Sequence, residues 1–346
     1  MTVLKKHLLL KCQAIGSAAL SLILATPGSL QASCGCASCP IDTVTSEQKS
    51  VGIINFDYSY QYSDATEARI GINKASIGQI PGIHDEISTL SEIHTFRLGT
   101  ALSSRLGVDV YLPFIHREHQ HLQHGDVNNN IESWNFDGLG DVSLLTRFVF
   151  FKPESHQLPT ISLVVGGKFP TGKDNARGIS QNDDLTLSNE IAEPGIQPGT
   201  GSYDLIAGIS EVQSFSLPMV TGDYATMPIF FNITYKWNGK GREDYRLGDT
   251  LIGDIGAVYP ITRKLGVSGQ MNMRFSRQDS AGLTSEQVDR TGGIFFYGSP
   301  GLQVKLGENT LTYIHVQIPF YQNVNGIQVV PSYSLIMGIS YRFGVL

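Results

Sequence analysis

The chain has 346 residues, with 25 Lys and Arg against 31 Asp and Glu, and its formal net charge is -6. This acidic balance gives no support to nucleic-acid binding, which needs a surplus of cationic side chains. After residue 32, no stretch approaches the roughly 18 consecutive apolar residues of a membrane helix, so a helical membrane protein is excluded as well.

Residues 1–32 have the layout of a secretory signal peptide. Lys5, Lys6 and Lys11 precede an apolar run over 14–25, and small residues follow as far as Ala32. A charged start, a short apolar centre and a small-residue end are what signal peptidase recognises. We therefore predict a signal peptide over 1–32 and an exported mature chain.

A cysteine-containing segment over 33–50 follows the predicted cleavage site. Its three thiols are those of Cys34, Cys36 and Cys39. In an oxidising compartment two of them would form a disulfide and leave the third free, or the thiols would dock a redox partner. The alternatives are a soft metal held by all three thiolates, or lipidation at Cys34. The sequence predicts a periplasmic segment and leaves these options open.

The rest of the chain, 51–346, alternates in polarity with the period of a β-strand. In Val267–Ser276, apolar or Gly residues alternate with polar ones, so one face of the strand would be apolar and the other polar. This pattern predicts an all-β, antiparallel transmembrane β-barrel of about twelve strands in a Gram-negative outer membrane. The expected strands are 52–62, 92–102, 105–116, 140–151, 158–169, 203–215, 227–238, 248–260, 263–276, 293–305, 309–320 and 332–343.

The connections between the expected strands alternate between short and long. Tight turns are expected at 103–105, 261–262 and 306–308, and moderate ones around Pro153 and Pro218. Outer-membrane barrels keep short turns on the periplasmic side and long loops outside. We therefore expect both termini in the periplasm.

A histidine cluster follows the third expected strand and enters a long loop. It contains His116, His119, His121 and His124 within nine residues. Neutral imidazole is a common ligand of zinc, copper and nickel, so the cluster suggests a transition-metal site. The alternative is a solvated loop that happens to be rich in histidine.

Period-two alternation also assigns side chains to the interior of the barrel. Basic and acidic groups are both present there, so they would either pair across a narrow lumen or contact a permeant molecule. The predicted lumen-lining residues are Asn55, Asp57, Arg97, Asp109, Arg147, Lys168, Lys236, Asp254, Arg274, His315 and Arg342.

The last expected strand ends on an aromatic residue. Reading back from Phe343, Tyr341, Ile339, Met337 and Leu335 share one face. This arrangement resembles the signal by which the outer-membrane assembly machinery recognises its clients. That machinery and outer-membrane lipid are thus expected partners.

Three Gly-rich motifs lie at strand ends, and together they resemble a known family. They are Gly138-Leu139-Gly140-Asp141, Phe169-Pro170-Thr171-Gly172 and Gly199-Thr200-Gly201-Ser202-Tyr203-Asp204. Over residues 50 to 343 the chain resembles the outer-membrane transporter family labelled for the MetA pathway of phenol degradation. The resemblance implies a β-barrel channel for small, often hydrophobic or aromatic compounds. From the residues themselves, the glycines would turn the chain while Asp141 and Asp204 bond local backbone.

The function predicted from the sequence is passive passage of small molecules through an outer-membrane channel. The alternative is a non-conducting barrel that acts as a sleeve, an adhesin or a docking platform for a periplasmic redox or metal-handling partner. No enzyme is predicted, because neither a phospholipase-like Ser and His arrangement nor a phosphate or dinucleotide motif is present in the sequence. No cofactor is expected beyond the transition metal suggested by the His and Cys clusters.

Overall fold

The structure is a computed structural model. It describes residues 51–77, 79, 86–122, 131–155, 158–181, 187–220, 222–284 and 286–344. The predicted signal peptide, the cysteine-containing segment and His124 therefore lie outside the described residues.

The described residues form β-strands joined by turns, loops and three single-turn 3-10 helices, at Pro194–Ile196, Arg242–Asp244 and Val288–Arg290. Within this part of the chain, no helix has the length and apolarity needed to cross a membrane. The strands are β1 (Ile53–Gly71), β2 (Asn73–Lys74), β3 (Glu86–Ala101), β4 (Leu106–Leu122), β5 (Ile131–Leu139), β6 (Ser143–Phe151), β7 (Thr160–Lys168), β8 (Arg177–Gln181), β9 (Leu187–Ile191), β10 (Asp204–Pro218), β11 (Tyr224–Trp237), β12 (Thr250–Pro260), β13 (Leu265–Ser276), β14 (Gly293–Lys305) and β15 (Thr310–Gly344).

The wall strands close into an antiparallel barrel. The circuit runs β1, β3, β4, β6, β7, β10, β11, β12, β13, β14 and β15, and β15 pairs again with β1. Closure satisfies the backbone groups that an open sheet would leave at its edges. The predicted fold class, a closed all-β antiparallel barrel, is confirmed.

The last wall element, β15, is 35 residues long and folds back on itself. Its first half pairs with β14 and its second half with β1. The two halves are adjacent, because Arg342 N donates to Asn309 O (2.9 Å). Gly326, near the tip, has a φ of +52°, a conformation that glycine adopts without steric cost. β15 thus contains both of the last two expected strands.

Two successive strands, β5 and β6, pair with the same edge of β4, and only β6 was predicted from the sequence. β4 pairs with β6 along its first part and with β5 along its last part. β5 was expected to be loop. Its pattern is inverted, since Trp134 and Phe136 are buried while Asn135 and Asp137 are exposed. Exposed polar residues at these positions are the opposite of what a lipid-facing wall strand requires.

Within the barrel wall the burial pattern has the opposite polarity. On β13, Met271 is 56% exposed whereas its neighbours Gln270 and Asn272 are 5% and 1% exposed. Large apolar side chains such as Ile255 and Leu205 continue the exposed face on other strands. An apolar exterior around a polar interior is suited to lipid outside and water within.

The short and long connections lie at opposite ends of the barrel. The expected tight turns are confirmed between β3 and β4, β12 and β13, and β14 and β15. Ile53 pairs with Gly344, so the first and last described wall residues lie at this same short-turn end. Pro218, expected in a turn, is instead the last residue of β10.

Candidate functional site

The interior of the barrel contains a charged cluster at its short-turn half. Arg97 Nε donates to Asp109 Oδ1 (2.9 Å), and both side chains are almost fully buried. Tyr313 OH donates to Asp57 Oδ1 (3.1 Å), and Ser340 Oγ donates to Asp57 Oδ2 (2.6 Å). These contacts join predicted residues from distant parts of the chain into one buried polar layer.

A second polar cluster spans three neighbouring strands. Asn272 Nδ2 on β13 donates to Asp254 Oδ1 on β12 (2.7 Å). Ser299 Oγ on β14 donates to Asn272 Oδ1 (2.5 Å). Buried polar groups need such partners, because an unsatisfied one costs about 1–3 kcal/mol. The cluster fixes the orientation of these side chains inside the barrel.

The rings of Tyr313 and His315 on β15 lie over glycines of neighbouring strand segments. A Cβ built on Gly301 would lie 2.3 Å from His315 Nδ1, and one on Gly338 would lie 2.4 Å from Tyr313 OH. Any larger residue at these glycines would displace the rings. The rings therefore occupy space beside the wall that a side chain on the neighbouring strand segment would otherwise fill.

Four further residues predicted to line the lumen have distinct environments. Arg147 is half-buried, and its Nη1 donates to Ser210 Oγ (3.0 Å). Arg274 is buried, and its Nε donates to Ser276 Oγ (3.1 Å). Arg342 is half-buried and Asn55 is buried.

A buried ion-pair network, here called the rim network, is formed by Asp141, Lys168, Thr200 and Asp204. Lys168 Nζ donates to Asp141 Oδ2 (2.5 Å) and lies 3.1 Å from Asp204 Oδ2. Thr200 donates both its N–H and its hydroxyl to Asp141 Oδ2 (2.8 Å each). Lys236 Nζ lies 3.7 Å from Asp204 Oδ2. The expectation that Asp141 bonds local backbone is wrong, because these partners are 27 and 59 residues away.

The rim network joins the three Gly-rich motifs through a close approach of backbone. A Cβ on Gly172 would lie 2.6 Å from the carbonyl carbon of Gly140 and 2.8 Å from Gly199 Cα. Gly172 N also donates to Asp141 Oδ1 (3.0 Å). Each motif thus contributes a glycine that lets the three segments pack together.

The structure separates the histidine cluster into two groups. His119 and His121 are fully buried on one face of β4, and with Glu193 they form a group whose candidate ligand atoms lie within 4.8 Å of one another. His116 lies on the opposite face, where its Nδ1 is 2.8 Å from Asp137 Oδ1. Alternation along the strand makes this separation unavoidable. Glu193, which is far away in sequence, carried no signal that would have linked it to the histidines.

Two cavities lie at opposite ends of the barrel and differ in charge. The one at the short-turn end has a volume of about 520 Å³ and is lined in part by Arg263, Lys264, Lys305 and Arg342. The one at the long-loop end has a volume of about 360 Å³, and its charged lining residues are Asp174, Glu193, Arg242, Glu243 and Glu286. The linings of the two cavities are thus mainly basic and mainly acidic, respectively.

Comparison with known proteins supports the fold. No protein-family model and no curated protein matches the chain. An outer-membrane channel from Pseudomonas putida is similar in structure, with a TM-score of 0.58 and 13% sequence identity. The superposition covers 88% of this chain and 100% of the channel. The transport unit of the Escherichia coli autotransporter AIDA-I gives a TM-score of 0.48 and 8% sequence identity. That superposition covers 88% of this chain and 93% of the transport unit. At 13% identity the likeness to the channel shows the fold, which is that of an outer-membrane β-barrel.

Proposed function

We propose that the chain is a passive outer-membrane channel for small molecules, with its short turns in the periplasm and its long loops outside. The observation that carries this proposal is the polarity of the closed barrel: apolar side chains cover the wall, and charged and amide side chains fill the interior. No enzymatic activity is part of the proposal.

The predicted lining residues would form the pathway. Arg97, Asp109 and Asp57 contribute one charged layer, and Asp254 with Asn272 contributes another polar one. The buried rings of Tyr313 and His315 occupy further interior space. Passage would therefore be restricted to small solutes, in keeping with a barrel smaller than the porins.

The permeant that we propose is a small aromatic compound that carries a polar substituent. The resemblance to the phenol-degradation family suggests an aromatic ring. The buried carboxylates, amides and guanidinium groups of the interior favour a solute that forms hydrogen bonds, because a wholly apolar one would leave these groups desolvated without partners. The basic cavity at the short-turn end would favour an anionic or phenolic solute.

The second candidate function is a non-conducting barrel that acts as a sleeve or as a docking platform through the cysteine-containing segment. Its support is the tight filling of the interior, where His315, Gln317 and Ser299 are at most 1% exposed. A barrel filled in this way at rest would pass no current. The two candidates therefore differ in a quantity that can be measured directly.

Planar-bilayer recording of the purified protein tests the proposal. We expect small, reproducible conductance steps, and a larger step for Tyr313→Ala, which removes a ring from the interior. Tyr333→Ala is the matched control, because Tyr333 is on the outer face of the same strand and is 50% exposed. Absence of current from both the unmodified protein and Tyr313→Ala would favour the sleeve.

Solute specificity is tested by uptake into vesicles that contain the protein. The panel compares phenol, benzoate, a fatty acid and a sugar of similar size. Faster entry of phenol and benzoate than of the other two supports the proposed permeant, and equal entry of all four contradicts it while leaving channel function intact.

A further inference from the structure

Two buried histidines and a glutamate meet at the long-loop end of the barrel, beyond the proposed pathway. We propose that His119, His121 and Glu193 bind one divalent transition-metal ion, for which zinc is the representative. Their candidate ligand atoms all lie within 4.8 Å of one another, and His121 Nδ1 is 3.2 Å from Glu193 Oε1. This spacing suits ligands arranged around a single ion.

The two histidines are positioned by the barrel wall. They occupy alternate positions on β4, so both rings point to the same face. Thr89 Oγ1 on the neighbouring strand β3 is 2.8 Å from His119 Nδ1. A metal-bound histidine commonly has its second ring nitrogen held by a polar partner in this way, and that hydrogen bond sets the ring orientation. Because Nδ1 is held by Thr89, Nε2 is the nitrogen through which His119 would bind the proposed ion.

Glu193 is brought to the histidines by a segment that is itself fixed. Arg117 Nη1 on β4 donates to Ile196 O (2.7 Å). Gln197 Nε2 donates to Ala192 O (2.6 Å), and Ile196 is fully buried. The carboxylate therefore reaches β4 through a preformed structure and needs no large rearrangement to serve as a ligand.

The donor set and its surroundings fit a transition metal. Two imidazoles and one carboxylate match the three protein ligands of many zinc sites, in which water occupies the fourth position. Calcium and magnesium prefer all-oxygen ligands and would bind here less well. The ring of Trp134 lies edge-on to His121 at 4.7 Å between centroids and supplies an apolar wall. A low-polarity wall strengthens the attraction between an ion and its ligands.

A route for the ion is present on the loop side. Glu193 also lines the acidic cavity at this end, together with Asp174, Glu243 and Glu286. Clustered carboxylates raise the local concentration of cations. The bound ion would join β4 to the segment that contains Glu193 and would hold that segment against β4.

Zinc titration of the purified, folded protein tests the site. All proteins carry Cys34→Ser, Cys36→Ser and Cys39→Ser, so that zinc bound by the thiols does not contribute. After treatment with a chelator, we expect one equivalent of Zn²⁺ to bind, and the Kd to rise by at least about tenfold in His121→Ala and in Glu193→Gln. Co²⁺ in place of Zn²⁺ should give visible absorption that disappears in the same two variants.

His116→Ala is the matched control, because His116 is on the opposite face of β4 and should leave zinc affinity unchanged. Heat-modifiable migration on gels verifies that each variant retains a folded barrel. The proposal is overturned if folded Glu193→Gln and His121→Ala bind zinc as tightly as the parent, or if His116→Ala weakens binding as much as they do. Because zinc binding is read without any transport assay, failure here would not affect the proposed channel.

Discussion

Individual residues in this barrel are constrained most strongly where charges are buried. Lys168 is 8% exposed and lies between the carboxylates of Asp141 and Asp204, themselves buried. An ion pair of this kind contributes little beyond what an apolar pair would, but removal of one partner leaves an uncompensated charge. The rim network therefore tolerates loss of its lysine poorly.

Lys168→Met should lower the free energy of unfolding by about 3–5 kcal/mol, because it leaves Asp141 and Asp204 buried without their shared cation. Urea titration of the protein in lipid vesicles measures the effect. Lys173→Met is the control, since Lys173 is exposed in the connection that follows β7. Equal stability of the two variants would show that the rim network is energetically unimportant.

Gly172→Ala should also destabilise the protein, by about 1–3 kcal/mol, because its Cβ would lie 2.6 Å from the backbone of Gly140. Gly307→Ala provides a comparison, as nothing lies within 4 Å of the Cβ that it would add. The same urea titration applies. A Gly172→Ala protein as stable as Gly307→Ala would mean that the three motifs separate at little cost.

At the scale of elements, the long loops hold one another through specific contacts. Tyr245 OH donates to Asp279 Oδ2 (2.6 Å), and Gly248 N donates to Asp279 Oδ1 (2.7 Å). Burial raises the pKa of Asp279 to about 6, although these hydrogen bonds and the positive charge of Arg274 oppose the rise. The connection between β13 and β14 is thereby anchored to the one between β11 and β12.

This anchor predicts a pH dependence of stability. Since the pKa of Asp279 is higher in the folded protein than in the unfolded chain, the folded state binds more protons between about pH 4 and pH 6. The contribution of Asp279 to stability should therefore decrease as the pH rises through this window, by up to about 3 kcal/mol. Urea titrations at pH 4 and pH 7 should show a smaller change for Asp279→Asn than for the unmodified protein.

Asp289→Asn, an exposed substitution in the same connection, should keep the pH dependence of the unmodified protein. Identical pH dependence in Asp279→Asn and the unmodified protein would mean that Asp279 has an ordinary pKa in the folded barrel.

Across the whole molecule, the outer wall is matched to lipid. Met271 lies in the middle of β13 and points outwards, while Gln270 and Asn272 on either side are buried. Replacement of an exposed apolar residue in the middle of the wall by a charged one would remove favourable contact with acyl chains. The barrel exterior should consequently accept charge only near its rims.

Met271→Arg should destabilise the folded protein in lipid by about 2–4 kcal/mol, because it places a guanidinium near the bilayer midplane. Leu283→Arg is the matched control, since Leu283 is 78% exposed in a loop outside the wall. Folding into vesicles of defined thickness, followed by urea titration, compares the two. Equal cost for both substitutions would contradict the lipid-facing assignment of β13.

The sequence alone determined the barrel, its wall strands and its tight turns. Alternation of polar and apolar residues is a local property, because it follows directly from side chains pointing to opposite faces of a strand. This alternation predicted a strand within each of the eleven wall elements. It did not predict β5, in which the buried positions are apolar and their neighbours polar. The same rule separates His116 from His119 and His121, but the predicted site grouped these histidines together because it placed them in a loop and not on a strand.

Tertiary structure decided which of these residues meet. Glu193 reaches His121, and Lys168 joins Asp141 to Asp204, through the path of the connections between the strands. Tyr313 reaches Asp57 because the last strand closes on the first. Such contacts depend on closure of the barrel and on the course of its loops, and neither is encoded in the period of any single segment.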